Sequence, residues 1–489
     1  MTAVRKITLV YPGIVNVGFA SFGKGGMDRN WMNLGILYLA ASLKRESFEV
    51  EVIDLRSLSG WDAYADRIAN NGSQAVGVYV NTPNYVAGLK ACELAKGLGK
   101  TVIAGGPHAT TAPESLTGSG FVDYVIKGEG ERSLVELLNG LNSGIRPSAN
   151  IIEGLLTENL DDLPFPDRSL YDVRTAISPV NNFPFLDNGL VIMCSRGCPF
   201  HCAFCQPLAR KMFGNRVRFR SPSNVLAELK ELVKGYGVKY ISFQDDTFTV
   251  RKKWVLELCG LILESNLKIQ WSAQSRVDTL DEEMLAAMKK AGCVCLFFGF
   301  ESGSQKILDF LNKGITPEQS VKAAKLCKKY GIVMLADIMM GIPTETGEDL
   351  DKTLGLVKEI RPELLSIAYF TPIIGSDLYE YCKKENIVLI NSYEDYARNA
   401  TEAKKVAGID YALVNAYKAK AERFVTLWYQ SLPFASYAFK RWFNLFLKGY
   451  WTEIIKEIFY FTALPYPFNG LRLKNRLYKI FNPPGKDGN

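Results

Sequence analysis

Twice along the chain, short β-branched runs alternate with segments whose apolar residues recur near every 3.6 positions, and no other feature narrows the possible folds as far. In residues 1–140 the strand-like runs are ITLVYP (7–12), VEVIDL (50–55), AVGVYV (75–80), TVIAGG (101–106) and YVIKGE (124–129). Helical patterns such as LGILYLAASLKR (34–45) and NYVAGLKACELAKGLG (84–99) lie between them. Strand–helix alternation at this spacing predicts a doubly wound parallel sheet, a Rossmann-like α/β layer structure. In such sheets ligands sit at the carboxyl ends of the strands. The residues there are Asn81, Thr82 and Pro83; Gly105, Gly106, Pro107 and His108; and Gly128, Glu129 and Gly130. Glycine at a strand end lets a ligand approach the backbone; the plainer reading of the same residues is tight turns.

Residues 141–187 lose the periodicity, and DDLPFPDRSLYD (161–172) reads as an extended connection. Alternation returns at 188–385 with six strand-like runs: LVIMCS, YISFQDD, QWSAQS, CLFFGFE, VMLADIMMGI and LSIAYFTPI. Amphipathic patterns such as SNVLAELKELVKGYG and DEEMLAAMKKAG separate them. Six βα units predict a partial TIM-like barrel with its chemistry at the C-terminal strand ends. Residues 386–489 read as a helical, aromatic and basic C-terminal region.

The first barrel strand runs into VIMCSRGCPFHCAFC (191–205), which holds four of the ten cysteines. The other six are single or form the close pair Cys293/Cys295, so no disulfide framework is expected. Cys198, Cys202 and Cys205 have the spacing C-x3-C-x2-C. Three thiolates on one short loop suit three irons of a [4Fe-4S] cube and leave the fourth iron open. A structural zinc would want a fourth ligand; Cys194 and His201 are the neighbours, and neither has a familiar zinc spacing.

This motif, placed after the first strand of a six-unit barrel pattern, resembles that of the radical S-adenosylmethionine (SAM) superfamily. The resemblance implies that the open iron takes the amino and carboxylate groups of SAM, and that one electron cleaves SAM to a 5′-deoxyadenosyl radical. It implies that Phe204 lies near the adenine. FFGFESGS (297–304) resembles a SAM-contacting segment and makes Glu301, Ser302 and Ser304 candidates. Arg276 in AQSRVD would hold the SAM carboxylate, and Asp245 and Asp246 in FQDDTF follow the second strand. MMGIPTET, with Gly341 and Pro343, resembles the backbone segment beside adenine. Each of these also has a plainer reading as a salt-bridged or packed loop residue, and Cys194 is expected to pack at the strand end.

The first domain resembles a cobalamin (B12)-binding domain, chiefly through VIAGGPHATTAPESL (102–116) and DYVIKGEGERSLVELL (123–138). The pair looks like the cobalamin-dependent radical SAM class. The D-x-H-x-x-G segment that supplies a histidine to cobalt elsewhere is absent, and the histidines are His108 and His201. The resemblance therefore implies a lower cobalt face without histidine, which favours methyl transfer from methylcobalamin, with His108 a loop residue near the ligand. The alternative is a relic domain that binds nothing. Only Cys92 precedes Cys194 and no cysteine follows Cys382, so neither methylthiolation nor a C-terminal auxiliary cluster is expected. The implied activity is C-methylation of a lipid-like or tetrapyrrole substrate, fed by a flavodoxin- or ferredoxin-type donor. Radical cyclisation is the alternative within enzymes, and a non-catalytic cobalamin or redox sensor the alternative outside them.

Composition matters at the C-terminus. The formal net charge is +7, and from residue 432 onward nine Lys/Arg face three Asp/Glu, leaving the main domains nearly neutral and without a nucleic-acid face. Phe439, Trp442, Phe443, Phe446 and Tyr450 form one helical stripe, with Arg441, Asn444 and Lys448 on another face. Such a helix suits either a membrane interface or packing on the barrel. The N-terminal apolar stretch is too short for a signal-peptide core and no run approaches a spanning helix, so a cytoplasmic protein is expected, peripheral at a membrane at most.

Overall fold

The computed structural model describes residues 3–13, 32–171, 173, 189–205, 208–214, 216–397, 404–429 and 443. The first domain is built on β1 (Lys6–Tyr11), β2 (Glu49–Asp54), β3 (Ala75–Tyr79), β4 (Thr101–Gly105), β5 (Tyr124–Lys127) and β6 (Ile151–Glu153). They form one parallel sheet in the order β2-β1-β3-β4-β5-β6. The helices are α1 (Leu34–Arg45), α2 (Trp61–Asn70), α3 (Tyr85–Gly97), α4 (Pro107–Thr111), α5 (Pro113–Thr117) and α6 (Glu131–Asn142). Alternate strand residues supply two separate apolar layers: Val76, Val78, Val102 and Ala104 on one face, Ala75, Ile103 and Ile126 on the other. That two-sided burial is why these strands read as continuous apolar runs.

The barrel region begins with β7 (Gly189–Ile192) and continues through β8 (Ser195–Arg196), α7 (Leu208–Phe213), β9 (Arg218–Phe219), α8 (Pro222–Tyr236), β10 (Tyr240–Phe243), α9 (Lys252–Glu264), β11 (Gln270–Ser275), α10 (Glu282–Lys290) and β12 (Cys293–Glu301). Next come α11 (Gln305–Phe310), α12 (Pro317–Tyr330), β13 (Val333–Met340), α13 (Gly347–Ile360), β14 (Leu364–Tyr369), α14 (Asp377–Lys384) and α15 (Tyr411–Tyr429). Six strands form a parallel sheet in the order β14-β13-β12-β11-β10-β7, and β8 pairs antiparallel with β9. All six predicted barrel strands are present. Helix starts follow local chemistry: Thr316 and Gln319 close a capping box on α12, and Thr346 and Asp349 close one on α13.

One stretch departs from the sequence reading. Within the stretch expected to be a plain linker, β6 extends the first sheet by pairing with β5, and Arg168 reaches Glu228 of α8 at 2.7 Å. In the C-terminal region, α15 buries Val414, Tyr417, Ala421 and Val425 in the barrel's apolar core, and Tyr417 donates to Asp351 at 2.7 Å. The aromatic stripe at 439–450 lies outside the described residues except for Phe443, which is helical and exposed. No helix among the described residues is long and apolar enough to cross a membrane.

Candidate functional site

The three-cysteine loop crosses the mouth of the barrel, where the strands end. Its first thiol, Cys198, is half-buried with Thr247 Oγ1 3.8 Å away; Cys202 is half-buried and Cys205 exposed. Burial pushes the Cys198 thiol above its ordinary value. Backbone bonds hold the loop: Ala203 N–H donates to Leu311 O (2.8 Å), Leu378 N–H to Ala203 O (3.0 Å), and Asn312 Nδ2 to the carbonyl of His201 (2.7 Å). Among the described residues no three His, Cys, Asp or Glu side chains close around one point as a single-ion cage would. What the loop offers is three thiols in succession on one short segment, the donor set of a multi-iron cube. Cys194 is fully buried in the barrel core and its thiol is pushed well up by burial.

Arg276, at the end of β11, faces this loop. It was expected to hold a SAM carboxylate, but its donors go elsewhere. Nε and Nη2 fork onto Asp278 at 3.0 Å each, Nη2 also reaches Lys313 O at 2.8 Å, and Nη1 lies 3.6 Å from Cys202 Sγ. Its guanidinium carbon stands 3.6 Å over the Phe200 ring. A planar fork stacked on an aromatic and bonded in its own plane is a site lysine cannot reproduce.

Glu301 ends β12 at φ +63°, a strained value for a non-glycine residue, and takes a 2.9 Å bond from Lys313 Nζ. Both side chains are at most 10% exposed, so the pair meets the requirement that a buried charge have a partner. Lys313 also lies 5.5 Å over the Phe204 ring. Phe204 is buried in an apolar cluster with Ile307, Leu311, Ile342 and Phe370. Ser302 and Ser304 turn toward α13: Ser302 Oγ bonds Thr353 Oγ1 at 3.0 Å and Ser304 Oγ donates to Asp349 at 2.6 Å. Their hydroxyls brace the strand end.

Asp245 is buried and accepts from Cys194 N–H, Ser195 N–H and Ser195 Oγ, tying the end of β10 to the start of the cysteine loop. Burial raises its carboxyl to about 6. Asp246 is exposed at the mouth, where the surrounding chain still raises its carboxyl. Gly341 has φ +75° and, with Ile342, donates its N–H to Glu345 Oε2, at 2.7 and 3.4 Å. Burial raises Glu345 to about 7. Pro343, buried, stands between. Lys313, Thr247 and Glu345 were not anticipated; the turn Asn312-Lys313-Gly314 and the TET after Pro343 were the available signals.

On the first domain, Asn81 and Asn84 exchange side-chain-to-backbone bonds at 2.8 Å, and Asn84 Nδ2 reaches Gly13 O at 2.6 Å. Gly106 has φ +105°, and a Cβ there would sit 2.9 Å from Val80 O, so only glycine fits between β4 and Pro107. His108 is fully buried, with Thr82 Oγ1 3.1 Å from Nδ1 and Ser115 Oγ 2.9 Å from Nε2. Burial lowers it to about 4 and keeps it neutral. Both ring nitrogens have protein partners, which suits a structural residue better than a metal ligand, and His108 lies in the first turn of α4 where the sequence reading expected a loop. Tyr393, from the segment after the barrel, lies 4.2 Å from the Tyr85 ring and 5.5 Å from the His108 ring. Gly105 closes β4, and Gly128, with φ +77°, faces the backbone of α7. Glu129 carries its carboxylate into the barrel region, onto Arg196 and Arg218. The strand-end rims of the two domains thus face each other.

Residues 192–357 match the radical SAM superfamily and residues 27–138 the B12 binding domain. An uncharacterized methyltransferase of Pyrococcus horikoshii is 35% identical over 80% of this chain and 86% of its own. An anaerobic magnesium-protoporphyrin IX monomethyl ester cyclase of Rubrivivax gelatinosus is 28% identical over 74% of this chain and 68% of its own. Among solved structures, the cobalamin-dependent SAM radical enzyme OxsB with aqua-cobalamin bound superposes with a TM-score of 0.68 at 17% identity, covering 97% of this chain and 75% of that one.

Proposed function

Because the chain belongs to the radical SAM family that carries a B12-binding domain ahead of the barrel, we propose that it methylates an unactivated carbon of a hydrophobic, lipid-like or tetrapyrrole small molecule. The observation that carries this reading is the meeting of two rims: three thiols at a barrel mouth, and a glycine-lined strand-end face turned toward them. The methyltransferase at 35% identity supports the reaction, and the cyclase at 28% identity supports the tetrapyrrole-like substrate class.

When bound, a [4Fe-4S] cluster supplies an electron to SAM and cobalamin supplies a transferable methyl group. Cys198, Cys202 and Cys205 would hold the cluster, and Arg276 fixes the loop that carries them. Arg276 and Lys313 place two cations beside that loop, where deprotonated thiols need compensation. Glu301, held by Lys313, is the acceptor for a SAM hydroxyl or ammonium. Phe204 and the Gly341–Pro343 backbone, braced by Glu345, form the adenine side. On the opposite rim Gly105 would lie toward cobalamin, Gly106 and Gly128 let Val80 O and the α7 backbone approach closely and so shape that rim, and His108 stays with Thr82 and Ser115. A flavodoxin- or ferredoxin-type protein supplies the electron. The basic aromatic tail would bring the mouth to an anionic membrane surface, which flotation with anionic liposomes tests.

The deciding experiment is anaerobic reconstitution with iron, sulfide, SAM, a strong reductant and hydroxocobalamin. Release of 5′-deoxyadenosine together with cobalamin uptake and a methylated tetrapyrrole or lipid product is expected. Loss of hydrogen without gain of carbon would instead make it a cyclase. Cobalamin uptake without SAM cleavage would make it a sensor.

A further inference from the structure

Four buried charges lie where the two domains meet. Arg196 and Arg218 are partners in the two-residue ribbon β8–β9, so they stand at the two ends of the loop bearing the three thiols. Both guanidiniums point away from the ribbon into the first domain. Arg196 lies 3.2 Å from Glu129 Oε1 and 2.5 Å from Glu131. Arg218 forks onto both oxygens of Glu129, at 3.1 Å to Oε2 with a shorter bond to Oε1, and also donates to Thr157 O. Thr157 N–H completes the cage on Glu129 Oε2 at 2.9 Å. The four side chains are at most 6% exposed. One residue earlier, a Cβ on Gly128 would stand 3.5 Å from Met212 O, so the end of β5 rests on the far part of the same loop.

A buried ion cluster of this kind adds little net stability compared with apolar packing, because desolvation offsets the attraction. What it gives is direction: forked guanidinium–carboxylate bonds hold in one orientation. The ribbon alone is too short to hold a long loop, since isolated two-stranded pairs are marginal in water. We propose that Glu129 is a positioning residue that clamps both ends of the three-thiol loop to the first domain, and so sets the register between cluster and cobalamin. This inference rests on the cofactor reading above only in its last clause; the clamp itself concerns the chain alone.

The test therefore starts with cofactor-free protein. In Glu129→Gln, hydrogen exchange of amides in 197–205 and 208–214 should rise by about tenfold or more, while amides of β3, β4 and β11–β13 stay within about twofold. Arg196 keeps Glu131, so Glu129→Gln/Arg218→Gln leaves no stranded charge; loop protection should stay as low there as in Glu129→Gln, and restored protection would overturn the clamp by tracing the single variant's loss to an unpaired arginine. Should Glu129→Gln not accumulate folded, Glu129→Asp, which withdraws the charge by one methylene, serves in the same comparison. A uniform rise across both domains, or no change in the loop, overturns the clamp. With iron and cobalamin loaded, the dipolar coupling between the reduced cluster and Co(II) should broaden in Glu129→Gln; an unchanged coupling overturns the register clause. If the protein takes up no cobalamin, the cofactor reading fails and the exchange result alone decides the clamp.

Discussion

Replacing Arg276 with lysine keeps the positive charge and removes the geometry, so it isolates what the fork contributes. Lysine can retain a link to Asp278 or to Lys313 O, but not both together with a stack on Phe200. Losing the buried bond to Lys313 O should cost about 2 kcal/mol, as for a charge-assisted bond. The close contact over Phe200 is worth about 1 kcal/mol, and the second arm on the partly exposed Asp278 about 0.5 kcal/mol after screening. Of these, only the Phe200 contact joins Arg276 to the cysteine loop, and the bonds to Asp278 and Lys313 O hold the guanidinium in place under it, so the loop's anchorage should fall by about 1 kcal/mol, or about fivefold in its opening equilibrium. If iron leaves through that opening, its first-order transfer to a ferrous chelator should accelerate by about fivefold in Arg276→Lys. Phe200→Leu alone should accelerate it by about fivefold, and adding Phe200→Leu to Arg276→Lys should change little more, because the two report one contact. Iron retention equal to wild type in Arg276→Lys would refute the reasoning. So would an acceleration matched by an equal fall in urea stability of the whole chain, since that would be global loosening.

Two further outcomes test the site's assignments. Reconstituted protein should hold about four irons per chain, Ala at Cys198, Cys202 or Cys205 should abolish this, and Cys194→Ala should retain it; equal iron loss in the Cys194 variant would move the ligand set. Asp245, raised by burial to about 6 in the folded chain, binds its proton more tightly folded than unfolded, so it lowers the unfolding free energy as pH rises from about 4 to about 6, by roughly 3 kcal/mol in all. Asp245→Asn should remove that component, which subtracting urea-unfolding curves across this pH range would reveal; parallel curves would contradict it.

The strands were legible because nearly all are buried on both faces and carry their signal locally. Val76 and Val78 declare themselves as core wherever the sheet lies. The exceptions are β6, three residues at a sheet edge and none fully buried, and the two-residue pair β8–β9, all too short to show alternation; β2, at the other edge with Ile53 its one buried residue, was read from its β-branched positions. The three thiols were legible because the ligand spacing is a property of the loop alone. Partner choice was not. Glu129 reads as a ligand-facing carboxylate at a strand end, and Arg218, which takes it, lies 89 positions away. Ser302 and Ser304 sit in a motif whose spacing suits SAM, yet Asp349 and Thr353 decide where their hydroxyls turn. Arg276 was placed correctly on its strand end, and its bonds depend on Phe200 and the turn at Lys313, neither of which is near it in sequence.

The span that matches the radical SAM superfamily stops at residue 357, inside α13 and before β14. A fragment cut there would strip β13 of the strand that pairs with it from Leu335 to Met340. It would also remove the Val414–Val425 face of α15 from the core. The exposed margin would be a long apolar row of free N–H and C=O groups, ready to recruit another chain. Such a fragment should self-associate through its new sheet margin, so the smallest barrel that stays monomeric has to run past residue 425.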